Sequence, residues 1–300
     1  MKVFILGATG FIGLPIAQAF VRAGHVVYGQ TRSEEKAKQL TAEEIIPIVC
    51  DPSHVNTYMH LIPTLDVIVD AVGGSNLKVA SESLLNVVAT AASTLRHFTA
   101  PRLTYIYTSG TWVHGENRKD VVSDTTAVSN PIELTAWRPE QEQRVINNSH
   151  VNGIVIRPSL LYGRSGSLFV PLFRRAYEGK VAWHGEPGGR LALIHCDDLA
   201  EVYVLAAEKA AIAGGKIFDA SNDINESADA FLQRLVEVSG ANGPYEYLES
   251  TNLFEKALGT TTIIRPYLAR ALLGWHPRKA GLIDHLEVYY NSWKASEGLP

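Results

Sequence analysis

Apolar runs and helical patterns alternate through the first 160 residues, the rhythm of a parallel sheet covered by helices on both faces. Residues 3–6, 26–30, 46–50, 67–72, 103–108 and 153–157 form short apolar runs, often continuous, which predicts strands buried on both sides. Between them the spacing predicts helices over 12–23, 33–40, 53–61, 77–95 and 140–147. The fold class that follows is α/β, a doubly wound parallel sheet. After Arg157 the rhythm breaks, with Pro158, Pro171, Pro187 and the glycine-rich stretch 185–189 marking loops. Helical spacing returns over 195–209 and 227–239, with one more strand at 216–221.

Composition adds limits. A chain of 300 residues can bury one large core, or a core plus a modest lobe. Hydrophobic residues at 46% and charged residues at 19% describe an ordinary globular protein. No apolar run is long enough for a bilayer span, and the chain opens on a strand-like segment with no signal-peptide layout, so the cytosol is the expected compartment. The net charge of −4, from 27 basic and 31 acidic side chains, gives no attraction to nucleic acid or to an acidic membrane. Cys50 and Cys196 stand far apart in no metal-ligand spacing, so no metal site is expected.

The strongest constellation is Gly7-Ala8-Thr9-Gly10-Phe11-Ile12-Gly13, after the first strand and opening the first helix. Gly7 permits the tight turn, Gly10 lets backbone approach a pyrophosphate, and Gly13 permits close helix–strand contact. Unpaired N–H groups of the helix start would face the phosphates. This is a Rossmann-type nucleotide site. At the end of the second strand an NAD site normally offers a carboxylate; here Thr31 is followed by Arg32 and, one turn on, Lys36. A guanidinium accepts a 2′-phosphate that a carboxylate would repel, so NADP(H) is the expected cofactor. Residues 1–157 are then an NADP-binding Rossmann domain, and 158–300 a small C-terminal substrate lobe with segments returning to the main sheet.

Further motifs follow in order: Asp51 after the third strand, Ala71-Val72-Gly73 after the fourth, Thr108-Ser109-Gly110 after the fifth. Then come Arg157-Pro158, Leu161-Tyr162-Gly163, the stretch from Ile194 through His195, Cys196 and Asp197 to Ala200, and Leu273-Gly274-Trp275-His276-Pro277. With the glycine motif, these make nearly the whole chain resemble the extended short-chain dehydrogenase/reductase superfamily, in its NAD-dependent epimerase/dehydratase group and atypical NADP-binding relatives. The resemblance implies that Asp51 bonds adenine and that Ala71, Val72 and Gly73 pass beneath the ribose and nicotinamide half. Asp51 before Pro52 equally suits a turn or cap. The resemblance also marks residues 77–95 and 140–147 as candidate interface helices of a homodimer, and treats His195 and Tyr162 as mainly structural.

The chain departs from the family's Tyr-x-x-x-Lys pair. Anchoring on Glu142-Gln143 places Arg138 at the lysine position and Leu134 at the tyrosine position, and no tyrosine occurs from Lys119 to Leu161. Arg138 can hold the cofactor ribose by its fixed charge but is no ordinary acid or base. The family's catalytic hydroxyl slot falls on Gly110, flanked by Ser109 and Thr111. Either hydroxyl is a candidate, as is His114, whose imidazole titrates near neutrality. The catalytic candidates are therefore Ser109, Thr111, His114 and Arg138. Residues 169–183 are expected to wall the pocket of a small-molecule ligand. The favoured reading is an NADP(H)-dependent oxidoreductase acting on a carbonyl or alcohol, with a non-standard acid–base group. A non-catalytic NADP-binding sensor and a non-redox isomerase or cyclase stand as alternatives.

Overall fold

The computed structural model describes residues 1–74, 76–165 and 167–300. Its centre is a parallel sheet of seven strands: β1 (Lys2–Leu6), β2 (Val26–Thr31), β3 (Ile46–Val49), β4 (Val67–Asp70), β5 (Leu103–Thr108), β6 (Val151–Pro158) and β7 (Ile217–Ala220). Their spatial order is 3-2-1-4-5-6-7. Each neighbouring pair is parallel; Val3 of β1, for example, pairs with Val27 on one side and Val67 on the other. Parallel neighbours need crossover connections, and helices supply most of them.

Burial on both sides explains the continuous apolar strands. Val3 and Ile5 pack with Ile16, Ala17 and Phe20 of α1 (Gly13–Arg22). Phe4 and Leu6, pointing the other way, pack with Tyr58 and with Leu84, Leu85 and Val88 of α3 (Leu77–Leu95). The remaining helices are α2 (Glu34–Ala42), α4 (Arg138–Ile146), α5 (Val170–Tyr177), α6 (Cys196–Glu208), α7 (Ala228–Ser239), α8 (Leu253–Leu258) and α9 (Leu286–Ser296), besides a short turn at Ala210–Ala213. Two segments from beyond residue 157, α6 and β7, lie on the main unit, α6 against α1 and β7 beside β6. Before and after them, α5, α7 and α9 enclose a second core built on Phe169, Trp183, Phe231 and Trp293.

Two sequence expectations change. The helix expected over 53–61 is two short 3₁₀ turns, Val55–Thr57 and Met59–Leu61. Asp51 Oδ1 accepts from the backbone N and Oγ of Ser53, and Tyr58 donates to the Pro52 carbonyl, so side chains compete with the helical ladder. The strand expected to reach residue 72 ends at Asp70, whose own Oδ1 takes the Val72 N–H. Helices α5 and α9 go unpredicted because the lobe they serve lacks the strand–helix alternation that marks the first half.

Candidate active site

Strand order reverses at β1, which lies between β2 and β4; such switch points open a crevice beyond the strand ends. The glycine loop fills this place. Gly7 has φ +78, and a Cβ there would stand 2.6 Å from the Ala71 carbonyl oxygen, so the loop touches the chain leaving β4. A Cβ on Gly13 would overlap the Gly7 carbonyl oxygen. Helix α1 starts without a side-chain cap; Leu14 N–H goes to the Gly10 carbonyl, Ile16 N–H to the Ile12 carbonyl and Pro15 has none, which leaves the N–H groups of Phe11, Ile12 and Gly13 without a backbone partner among the described residues. Phe11 and Ile12 flank this turn, Phe11 partly packed on the core.

A residue that motif reading passed over fixes the loop. Gln30 is 2% exposed, accepts from Gly7 N at 2.9 Å and donates to the Cys50 carbonyl at 2.6 Å, tying β2 to the loop and to the end of β3. Thr31 is buried; its hydroxyl lies 3.5 Å from that of Thr9 and accepts the Ser33 N–H. Ser33 then caps α2. Arg32 and Lys36 are exposed, and no hydrogen bond or ion pair from either side chain exists among the described residues. Asp51 uses one carboxylate oxygen in the Ser53 turn, and those bonds hold its carboxyl below the usual range. On the other side Ala71 N donates to the Leu6 carbonyl, and Gly73 lies exposed.

Asp70, also missed, is buried at the end of β4. Its Oδ2 accepts from the Tyr105 hydroxyl at 2.9 Å. Burial pushes its carboxyl up to about 6, against the Tyr105 and Val72 hydrogen bonds and the charge of Arg138. A folded-state pKa above the ordinary 3.8 means the folded protein holds this proton more tightly than the unfolded chain. The resulting stability is complete below about pH 4 and is lost as pH rises through about 6. Relative to Asp70→Asn, wild-type unfolding free energy is therefore expected to fall by roughly 3 kcal/mol between about pH 4 and pH 7. Denaturant titrations of both proteins across that range check this; a difference constant with pH would show that Asp70 titrates normally.

Beyond the loop lies a cavity of about 740 Å³. Its wall includes Ile12, the start of α3, residues 109–112, Leu134, Trp137, Arg138 and residues 158–161, with Leu168 and Phe254. The expectation that residues 169–183 form this wall is corrected: Phe169, Phe173 and Trp183 are consumed by the lobe core, and Leu168 just before them reaches the cavity. Leu134, expected from the spacing to Glu142 to stand at the tyrosine position, is part of the wall. Helix α4 begins at Arg138, with Pro139 in its first turn, where a missing N–H is harmless. Arg138 Nη1 donates to the Tyr107 hydroxyl and to the Thr108 carbonyl, both at 3.0 Å. The guanidinium also lies over the Trp137 ring, 5.0 Å from its centroid.

The catalytic candidates separate. Thr111 lines the cavity, and its hydroxyl has no hydrogen-bond partner among the described residues. Ser109 also lines it, but its Oγ donates to Glu142 Oε1 at 2.5 Å. The assignment of His114 as a pocket acid is corrected: its side chain is 1% exposed and pairs with buried Asp219 at 2.8 Å, so it points into the protein. Both belong to one buried cluster. Glu142 receives Arg157 Nε at 2.9 Å and Nη2 at 2.6 Å, Arg157 Nη1 lies 3.5 Å from Asp219, and Asp219 accepts from a nitrogen donor of His114. Asp219 N donates to Asp124, whose other oxygen accepts Tyr267 N and Leu268 N. Tyr162 is sequestered, donating to the Ala280 carbonyl and accepting from Asn222. His195 caps α6 through Nδ1, and burial lowers its pKa to about 4.

Comparison with known proteins agrees with this fold. The model of the NAD dependent epimerase/dehydratase family matches residues 3–220. The chain is 26% identical to an uncharacterised protein of Schizosaccharomyces pombe, over 95% of this chain and 98% of that one. It is 24% identical to the 4-hydroxy-2-methyl-3-oxo-4-farnesyl-3,4-dihydroquinoline-1-oxide ketoreductase of Stigmatella aurantiaca, over 80% of this chain and 74% of that one. Among solved structures, dTDP-glucose 4,6-dehydratase from Bacillus anthracis in complex with NAD aligns with TM-score 0.81 at 14% identity, covering 99% and 98% of the two chains. No described helix is long and apolar enough to cross a membrane.

Proposed function

The chain belongs to the NAD dependent epimerase/dehydratase family, and on that premise we propose that it is an NADP(H)-dependent oxidoreductase acting on the carbonyl or alcohol of a small, largely apolar molecule. The observation that carries this reading is the mainly apolar cavity that begins at Ile12 of the glycine motif and holds Thr111 and Arg138 in its wall. An oxidoreductase needs such a site, because carbonyl chemistry beside a cofactor is helped by excluding water.

The residues fit the cofactor. Open N–H groups at the start of α1 suit a pyrophosphate cradled by Gly7, Thr9, Gly10, Phe11, Ile12 and Gly13. We assign the 2′-phosphate to Thr31, Arg32 and Lys36, the last two being side-chain charges with no partner among the described residues. The free carboxylate oxygen of Asp51 serves adenine, and Ala71, Val72 and Gly73 form the floor beyond. When bound, the cofactor supplies or accepts hydride at the cavity. Thr111 orients the substrate oxygen and relays to it a proton that solvent water replaces, and Arg138, fixed by Tyr107 and Thr108, stabilises negative charge on that oxygen while keeping its own protons. The ketoreductase activity of the Stigmatella aurantiaca relative supports reduction as the direction. A nucleotide sensor without turnover is the second reading, favoured by Leu134 in the wall at the expected tyrosine position.

The test is a titration with NADPH and NADH, then absorbance of the reduced cofactor with a panel of hydrophobic ketones. NADPH is expected to bind more tightly than NADH and to be oxidised by some ketones. Binding without oxidation would select the sensor, and no binding would overturn both readings. Arg32→Asp is expected to weaken NADPH binding by about a hundredfold and NADH binding by less than about threefold. Equal losses would remove Arg32 from the 2′-phosphate role.

A further inference from the structure

The charge balance of the cavity is left unused by the chemistry above. Its described lining carries two cations, Lys78 and Arg138, and no carboxylate. Arg138 gives its hydrogen bonds to neutral oxygens, and no ion pair of either side chain exists among the described residues. The half-buried Arg138 is compensated in part by the Trp137 ring and by the nearby Asp70, but no carboxylate of the wall itself faces either cation.

Lys78 is exposed, yet its position is unusual. It stands in the first turn of α3, where no acidic residue is present and no side chain caps the helix. A cation there opposes the helix dipole, which favours an anion at that end. The rest of the wall is mainly apolar, with Leu77, Trp112, Leu134 and Leu160 prominent. Of its hydroxyl and amide side chains, Ser109 is committed to Glu142 and Thr135 to the Ile132 carbonyl, while Asn76, Thr111 and Ser159 have no hydrogen-bond partner among the described residues. An apolar body with one anionic group and one carbonyl matches the apolar wall, its two cations and its free hydroxyls.

We propose that the substrate is an oxo-acid: an apolar chain or ring bearing a carboxylate that Lys78 receives, with its carbonyl directed to Thr111 and Arg138. This rests on the oxidoreductase reading and names its substrate class. The carboxylate meets a cation and a helix start, and the apolar body covers the leucine and tryptophan wall.

The probes are decanoate and 1-decanol, neither of which carries a reducible carbonyl, titrated calorimetrically into the full chain at low and at moderate salt. Both are expected to bind the wild type, and only decanoate binding should weaken with salt. Lys78→Glu is expected to weaken decanoate about tenfold and leave decanol within about twofold. Lys78→Met should give an intermediate loss. Glutamate suits a first helical turn, so the thermal midpoint should not fall. Equal effects on the two probes, a salt-independent decanoate affinity, or binding of neither probe would overturn the proposal. Since no ketone is turned over, its failure is distinct from a failure of the oxidoreductase reading, which is judged on NADPH oxidation.

Discussion

Arg157→Met is expected to destabilise the protein by about 3–5 kcal/mol, because it removes the cation that holds two buried carboxylates. Glu142 and Asp219 are each nearly inaccessible, and Arg157 reaches both, through two hydrogen bonds to the first and an ion pair at 3.5 Å to the second. Methionine fills much of the volume but leaves the Glu142 carboxylate with only the Ser109 hydroxyl and the Asp219 carboxylate with only His114. By contrast, breaking the exposed pair Arg234–Glu237 should leave the urea midpoint nearly unchanged, because solvent screens both charges. Urea unfolding of both variants measures the contrast. Adding Glu142→Gln to Arg157→Met should recover part of the loss, since it removes one unpaired charge. A loss under about 1 kcal/mol for Arg157→Met would show that water or relaxation replaces the guanidinium.

That cluster also marks where sequence reading stopped. The strands of the sheet were legible because burial on both faces leaves little room for polar residues, and the glycine motif because its spacing is tied to a strand before and a helix after. Arg157 was visible only as part of an Arg-Pro motif, and its partner Asp219 lies 62 positions along the chain, brought beside it by the pairing of β6 with β7. No local pattern carries such a contact. His114 shows the same limit: its neighbours in sequence suggested a pocket, while Asp219 turned it inward. Gln30 and Asp70 were hidden for another reason. Each is a polar residue at the end of an apolar strand, a place sequence patterns leave undefined, and each acts through bonds to adjoining strands or loops. Arg138 was better placed, because the expected departure from the Tyr-x-x-x-Lys pattern falls in one short segment, and the structure puts Leu134 and Arg138 in one cavity wall.

The glycine motif offers a comparison in which folding and nucleotide binding should separate. In Gly13→Ala the new methyl would overlap the Gly7 carbonyl oxygen and crowd the Gly7 carbonyl carbon at 2.8 Å, both of them backbone atoms of the same loop. Alanine gains about 1 kcal/mol over glycine within a helix, but relieving this overlap requires moving α1 away from β1, whose contact is part of the main core. Overpacking should win, with a net loss of about 2–3 kcal/mol in stability and loss of nucleotide binding. In Gly10→Ala the nearest atom to the methyl, again the Gly7 carbonyl oxygen, is 3.2 Å away, which a small shift accommodates. Stability should therefore change by less than about 1 kcal/mol. If Gly10 allows the pyrophosphate to approach the backbone, NADPH binding should nevertheless fall by about a hundredfold. Denaturant unfolding and calorimetric titration of both variants decide the matter. Wild-type affinity in Gly10→Ala would place the pyrophosphate elsewhere, and wild-type stability in Gly13→Ala would show slack between α1 and the loop. The expected pattern, both properties lost at Gly13 and binding alone lost at Gly10, would assign one glycine to the packing of the fold and the other to its ligand.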